Sequence, residues 1–155
     1  MKSTTIFVKV ALEGICIITS FNENRKVYIH DAIILKTLNT MFSYLKDRID
    51  VEDTEYAIVK VVYDATIFIQ EGFKLRSSII KDVILYSNKK KFEQRVTTQL
   101  ENIKSDFIFR KTQNEGYSEF MNVFESYSNS DRYNLSIDIL ADVSRYYYNN
   151  LDNQG

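Results

Sequence analysis

TTIFVKVALEGICIITSFNENRKVYIH, residues 4–30, decides the fold class. Residues 4–11 read as a strand rich in β-branched and aromatic side chains, and Glu13-Gly14 is a turn signal. Residues 15–20 read as the returning strand, Asn22-Glu23-Asn24 as a second turn, and residues 26–30 as a third strand. Polar alternation fails in the second strand, which predicts burial on both of its faces. The reading is a small antiparallel meander. An isolated hairpin is marginal in water, so the rest of the chain must cover this one.

At Asp31 the apolar period changes. Asp31 can act as a helix N-cap, and Ile34, Leu38, Met41, Phe42, Leu45 and Ile49 follow at helical spacing. Asp53 can cap a second helix bearing Ile58, Val61, Val62, Ala65, Phe68 and Ile69, with Gly72 at its end. The density of β-branched residues there leaves a strand pair open. Helix is preferred because Lys60 and Asp64 lie one turn apart. A third helix over 74–87 presents Leu75, Ile79, Ile80, Val83 and Ile84.

Phe92, Val96, Leu100, Ile103 and Phe107 then recur at steps of three or four, with polar residues between them. That stripe is narrow, closer to a coiled-coil seam than to a broad core face. A polar loop over 111–118, helices over 118–128 and 131–148, and a frayed tail over 149–155 complete the chain. The expected architecture is α+β: one domain over 1–155, its N-terminal antiparallel β-meander (1–30) packed against a bundle of four to five α-helices (31–148).

The inventory of reactive groups is short. One histidine, His30, one cysteine, Cys16, and four glycines leave no Cys/His zinc site and no glycine-rich phosphate loop. A catalytic triad would have to use His30, placed at an expected strand-to-helix corner beside Asp31. Packing at that corner explains His30 as well. Cys16, between Ile15 and Ile17, reads as a small buried hydrophobe. Asp50, Glu52, Asp53 and Glu55 lack the ligand spacing of an EF-hand loop. Asp138 and Asp142 share a helix face and could serve metal-assisted chemistry, but a solvated face accounts for them more simply.

Net charge is −1, unevenly distributed: residues 1–71 carry −2, residues 72–111 carry +6, and residues 112–155 carry −5. Lys74, Arg76, Lys81, Lys89, Lys90, Lys91 and Arg95 form the one concentrated basic segment. Three successive tyrosines, Tyr146, Tyr147 and Tyr148, point about 100° apart on a helix, so one ring should stay exposed. An apolar run long enough for a membrane span is missing, and Lys9 and Glu13 interrupt any leader-like start. The abundance of Ile, Asn, Lys and Tyr suits an A/T-rich genome, whether bacterium, phage, plasmid or large DNA virus.

These features favour a cytoplasmic, non-enzymatic protein–protein interaction or assembly module without cofactor or metal. Its expected partner surface is Phe92, Val96, Leu100, Ile103, Phe107, Tyr146, Tyr147 and Tyr148, facing a protein partner or a second copy in a homodimer. The alternative is a nucleic-acid-binding accessory or regulatory protein using the basic 74–95 segment. A third reading is an enzyme built on carboxylates.

Overall fold

A computed structural model describes residues 4–11, 13–51, 54–61, 80–85, 92–110, 115–127 and 133–154. The elements are β1 (Thr4–Ala11), β2 (Gly14–Glu23), β3 (Lys26–Leu35), α1 (Leu38–Val51), β4 (Thr54–Val61), β5 (Ile80–Leu85), α2 (Phe92–Asp106), β6 (Phe107–Phe109), α3 (Glu115–Glu125) and α4 (Leu135–Gln154). The class is α+β, with an N-terminal antiparallel meander packed by helices, as the sequence indicates. The meander is the centre of a larger mixed sheet of order β5-β4-β1-β2-β3-β6. β1–β2 and β2–β3 are antiparallel, whereas β1–β4, β4–β5 and β3–β6 are parallel.

Two turns set the meander. Gly14 pairs with Ala11 and carries a φ of 151°, in a region that side chains rarely adopt. A Cβ there would meet Ile34 Cγ2 at 3.2 Å and the Leu35 carbonyl oxygen at 3.4 Å. The second turn places Asn24 and Arg25 at φ of 53° and 62°, between the paired residues Glu23 and Lys26. Two successive positive φ values give the twist that a tight hairpin needs.

β2 is buried on both faces, as its unbroken apolar run requires. Ile15 and Ile17 join Ile6, Val8, Val10 and Ile33 in one core layer, closed by Met41, Phe42 and Leu45 of α1. Cys16 and Ile18 face the other layer, with Phe7, Ala11, Ala32, Ile34, Phe120, Leu135, Ile139, Leu140, Val143 and Tyr147. Helices therefore cover the sheet from both sides.

Four readings need correction. β3 does not end at His30 but runs to Leu35. Its pairing slips where Thr19 faces Asp31 and Ser20 faces Ile29, so His30 is the extra residue of a bulge. The slip changes which parity faces the core: Val27 and Ile29 share a layer with Ala32 and Ile34. That change of parity imitates the start of a helical period. Asp31 is accordingly a buried strand residue that accepts a hydrogen bond from the Tyr44 hydroxyl. The cap of α1 is Thr37, whose Oγ1 accepts from the Thr40 backbone N–H at 3.2 Å.

Residues 54–61 and 80–85 are strands rather than helices. Their β-branched content decides in favour of parallel strands buried beside β1. The remaining parts of those two expected helices lie outside the described residues. At the other end, α4 continues to Gln154 through most of the segment read as a frayed tail.

Replacing Gly14 with Ala should lower stability by about 1–3 kcal/mol, because the new Cβ meets strained backbone as well as Ile34. Denaturant titration checks this. An effect within experimental error would mean the hairpin tolerates another φ.

Candidate functional site

α4 begins at Asn134, whose Oδ1 accepts from the Ile137 N–H at 3.0 Å while its own amide donates to the Val123 carbonyl at 2.6 Å. One side chain thus caps α4 and ties it to α3. Ser136 adds a second tie, donating to the Phe120 carbonyl at 2.9 Å. On the far side, the Ser144 hydroxyl donates to Gln99 of α2 at 2.6 Å. Between these anchors, every residue from 134 to 144 is buried. The helix is enclosed by the sheet on one side and by α2 and α3 on the others.

Asp138 and Asp142 therefore do not lie on a solvated face. Their relative exposures are 0% and 6%. Both meet Lys9 of β1, whose exposure is 0%. Lys9 Nζ lies 2.8 Å from Asp138 Oδ2 and 2.5 Å from Asp142 Oδ2. β1 alternation puts Lys9 on this face: Phe7 and Ala11 belong to the same layer, whereas Ile6, Val8 and Val10 face α1. The i, i+4 spacing on α4 then sets both carboxylates above one point of the sheet.

The surroundings are mostly apolar, with a few oriented donors. The Tyr133 hydroxyl donates to Asp138 Oδ2 at 2.7 Å. Burial, and then the charge of Asp138, push the Tyr133 phenol far above its ordinary range. Cys16 is the register partner of Lys9 on β2. Burial raises its thiol well above the usual value; Lys9 opposes that shift and Asp138 adds to it. Cys16 is thus the inert core thiol that its sequence position suggests. On the other side of β1, the register partner of Lys9 is Lys60 of β4.

The residues expected to form a partner surface sit elsewhere. Val96, Ile103 and Phe107 are buried, and Val96 packs with Ile137 and Ala141 of α4. Leu100 is half-buried against that same small cluster. Phe107 has left the helix and opens β6, which ends the seam. Tyr147 is buried and shares a hydrogen bond with the Ser20 hydroxyl at 2.9 Å. Tyr146 is half-buried, its ring edge-on to Phe7 with centroids 5.3 Å apart, and Tyr148 is also half-buried. Leu100, Ile103, Phe124, Tyr127 and Ile137 line a shallow groove of about 320 Å³, bordered by Lys104 and Glu125. The side chain of Phe92 lies outside the described residues, as do those of the basic set Lys74, Arg76, Lys81, Lys89, Lys90, Lys91 and Arg95, and of Asp50, Glu52, Asp53 and Glu55.

His30, expected at a strand-to-helix corner, instead lies within β3. The Arg110 guanidinium stands 3.2 Å from its Nδ1 and 3.3 Å from its Nε2. Nearby on the same edge, Lys26 donates to the Ser105 carbonyl at 2.9 Å and approaches Asp106 at 3.7 Å.

No family model matches the sequence, and no curated protein matches it either. Solved structures do match the fold. The human cytomegalovirus terminase nuclease domain aligns over 95% of this chain and 82% of its own, with a TM-score of 0.52 at 10% identity. A manganese-soaked form of that domain gives a TM-score of 0.57 at the same identity and coverage. The large terminase of a thermophilic bacteriophage aligns over 96% of this chain and 40% of its own, with a TM-score of 0.56 at 18% identity. At these identities the likeness is one of fold.

This likeness overturns the expectation of a non-enzymatic interaction module, and with it the inference that the chain is not an enzyme. Nearly the whole chain takes the fold of domains named as nucleases. The apolar stripe offered as a docking surface is largely consumed within that fold. Among the described residues, no helix is long and apolar enough to cross a membrane.

A manganese-soaked neighbour raises the question of a divalent cation. Hard cations need several oxygen ligands converging on one point. Among the described residues, no group of three or more His, Cys, Asp or Glu side chains could hold a metal. The buried carboxylate pair already converges on an ammonium. Among the described residues, the side chains at this site do not make up a ligand set for a divalent metal.

Replacing Lys9 with Met should cost about 3–5 kcal/mol, because it leaves two buried carboxylates without their cation. Chemical denaturation of both proteins at neutral pH checks this. In the native protein, Cys16 should resist a thiol reagent even above pH ~8.5, where an ordinary thiol reacts, and should react stoichiometrically once the chain is unfolded.

Proposed function

We propose that this chain acts on nucleic acid as a nuclease-fold protein of the terminase type, with the phosphodiester backbone as its target, in a phage or viral setting. The whole-chain fold likeness to terminase nuclease domains carries this reading. No catalytic step falls on the Lys9 cluster, which is closed to solvent.

The charge on the described surface supports the same reading. Arg25 and Arg110 are exposed, and with Lys26 and His30 they lie along the β3–β6 edge of the sheet. Lys104 is also exposed, one residue before Ser105, whose carbonyl takes the Lys26 hydrogen bond. Cations arrayed on an edge attract phosphate by releasing its condensed counterions. The remaining excess of positive charge between residues 72 and 111 lies mostly outside the described residues.

The test pairs binding with cleavage. Purified protein is titrated into labelled duplex and single-stranded DNA at low and moderate salt, and incubated with supercoiled plasmid in Mg²⁺ or Mn²⁺. The expected outcome is salt-sensitive retention, together with nicking that does not depend on the Lys9 cluster. The double charge reversal Arg25→Glu, Arg110→Glu should weaken retention by roughly tenfold or more. Intact plasmid combined with no retention at low salt would remove nucleic acid as the target.

A further inference from the structure

We infer that Lys9 takes the place of a divalent cation at the Asp138–Asp142 pair, so that this chain carries a carboxylate site locked by its own ammonium. The inference rests on the geometry of the cluster and on the likeness to a manganese-soaked fold, and not on DNA being the substrate.

Three observations converge. First, one Lys9 Nζ contacts both carboxylates, at 2.8 and 2.5 Å, the spacing of close charge-assisted ion pairs. The ammonium stands at the point to which both carboxylates converge, and a second cation there would meet both its volume and its charge. Second, Lys9 is fully buried in the middle of a strand, with β2 paired on one side and β4 on the other. It cannot swing into water to make room, as a surface lysine would. Third, the adjacent position on β4 is again a lysine, Lys60, so neither β1 nor β4 supplies a carboxylate at this level of the sheet.

The carboxylates, in contrast, are arranged as ligands usually are. They lie one helical turn apart on a helix anchored at both ends of the buried stretch, and Asp138 is oriented by Tyr133. Charge, and a count of two carboxylates among the described residues, are what keep a divalent metal out. Substituting the lysine by a carboxylate should therefore convert an internal ion pair into a three-carboxylate metal site.

The experiment compares the wild-type protein with Lys9→Asp, Lys9→Gln and Asp142→Asn. Bound Mn²⁺ is read by loss of the free-ion electron paramagnetic resonance signal, and thermal midpoints are measured with and without MnCl₂. Wild type should show no Mn²⁺ binding that depends on Asp142. Lys9→Asp should be destabilised in chelator, recover on adding Mn²⁺, and bind about one ion, about tenfold or more tighter than wild type. Lys9→Gln keeps the bulk of the side chain without its charge, and serves if Lys9→Asp fails to fold; it should bind Mn²⁺ more weakly than Lys9→Asp but more tightly than wild type.

Wild-type Mn²⁺ binding that disappears in Asp142→Asn would overturn the inference. So would folded Lys9 variants whose Mn²⁺ binding equals that of wild type. DNA retention, measured on the same wild-type preparation, reports separately on the proposed function. Its absence beside the expected metal pattern would sink that function and leave the locked site standing.

Discussion

A buried ammonium on the central strand, gripped by two carboxylates one helical turn apart, joins the sheet to its last helix. Withdrawing any of these charges from water costs several kcal/mol per ion, and only close mutual contact offsets that cost. The cluster is therefore intolerant of misalignment. β1 must present Lys9 toward α4, and α4 must sit at one rotation and height. The Asn134 cap, the Ser136 and Ser144 hydrogen bonds and the Tyr133 hydroxyl all hold α4 in that position. Among the described residues two carboxylates face one ammonium, and the imbalance is softened by the Tyr133 hydroxyl and by the first turn of α4, where Asp138 benefits from the helix dipole.

Two apolar layers make the arrangement possible. α1 closes the face of Ile6, Val8 and Val10, while α3 and α4 close the face of Phe7, Ala11 and Lys9. Because β1 and β2 are covered on both sides, the cluster is buried away from bulk solvent. The same burial keeps the Cys16 thiol and the Tyr133 phenol protonated. In a fold shared with domains named as nucleases, the charged centre of this chain is a closed ion-pair knot. Arg25, Lys104 and Arg110 are among the exposed cations and lie near the β3–β6 edge.

Much of this was legible in the residues and some was concealed by them. The meander could be read because Glu13-Gly14 and the polar stretch after Phe21 punctuate apolar runs of strand length, although the second turn falls at Asn24-Arg25, with Asn22 and Glu23 still in β2. The role of residues 31–35 could not, because the bulge at His30 shifts the inward-facing set and mimics a helical period. β4 and β5 were hidden for a related reason: a strand covered on both faces loses its alternation and resembles a buried helix. Asp138 and Asp142 stood at recognisable spacing, yet the rule that charges face water assigned them to the surface. The available signal was Lys9, a lone base in the middle of an apolar strand, which a two-sided burial of β1 and β2 obliges to find carboxylates.

The sequence by itself determined the α+β class, the antiparallel start of the sheet and the burial of its lone thiol, because these follow from composition and short-range periodicity. Only the tertiary structure decided that residues 54–61 extend the sheet in parallel, that the 96–107 stripe turns inward, and that Lys9 meets Asp138 and Asp142. Those outcomes depend on contacts between residues far apart in the chain, from about forty positions for the stripe to more than a hundred for Lys9, and no local pattern encodes which distant charge a buried charge will find.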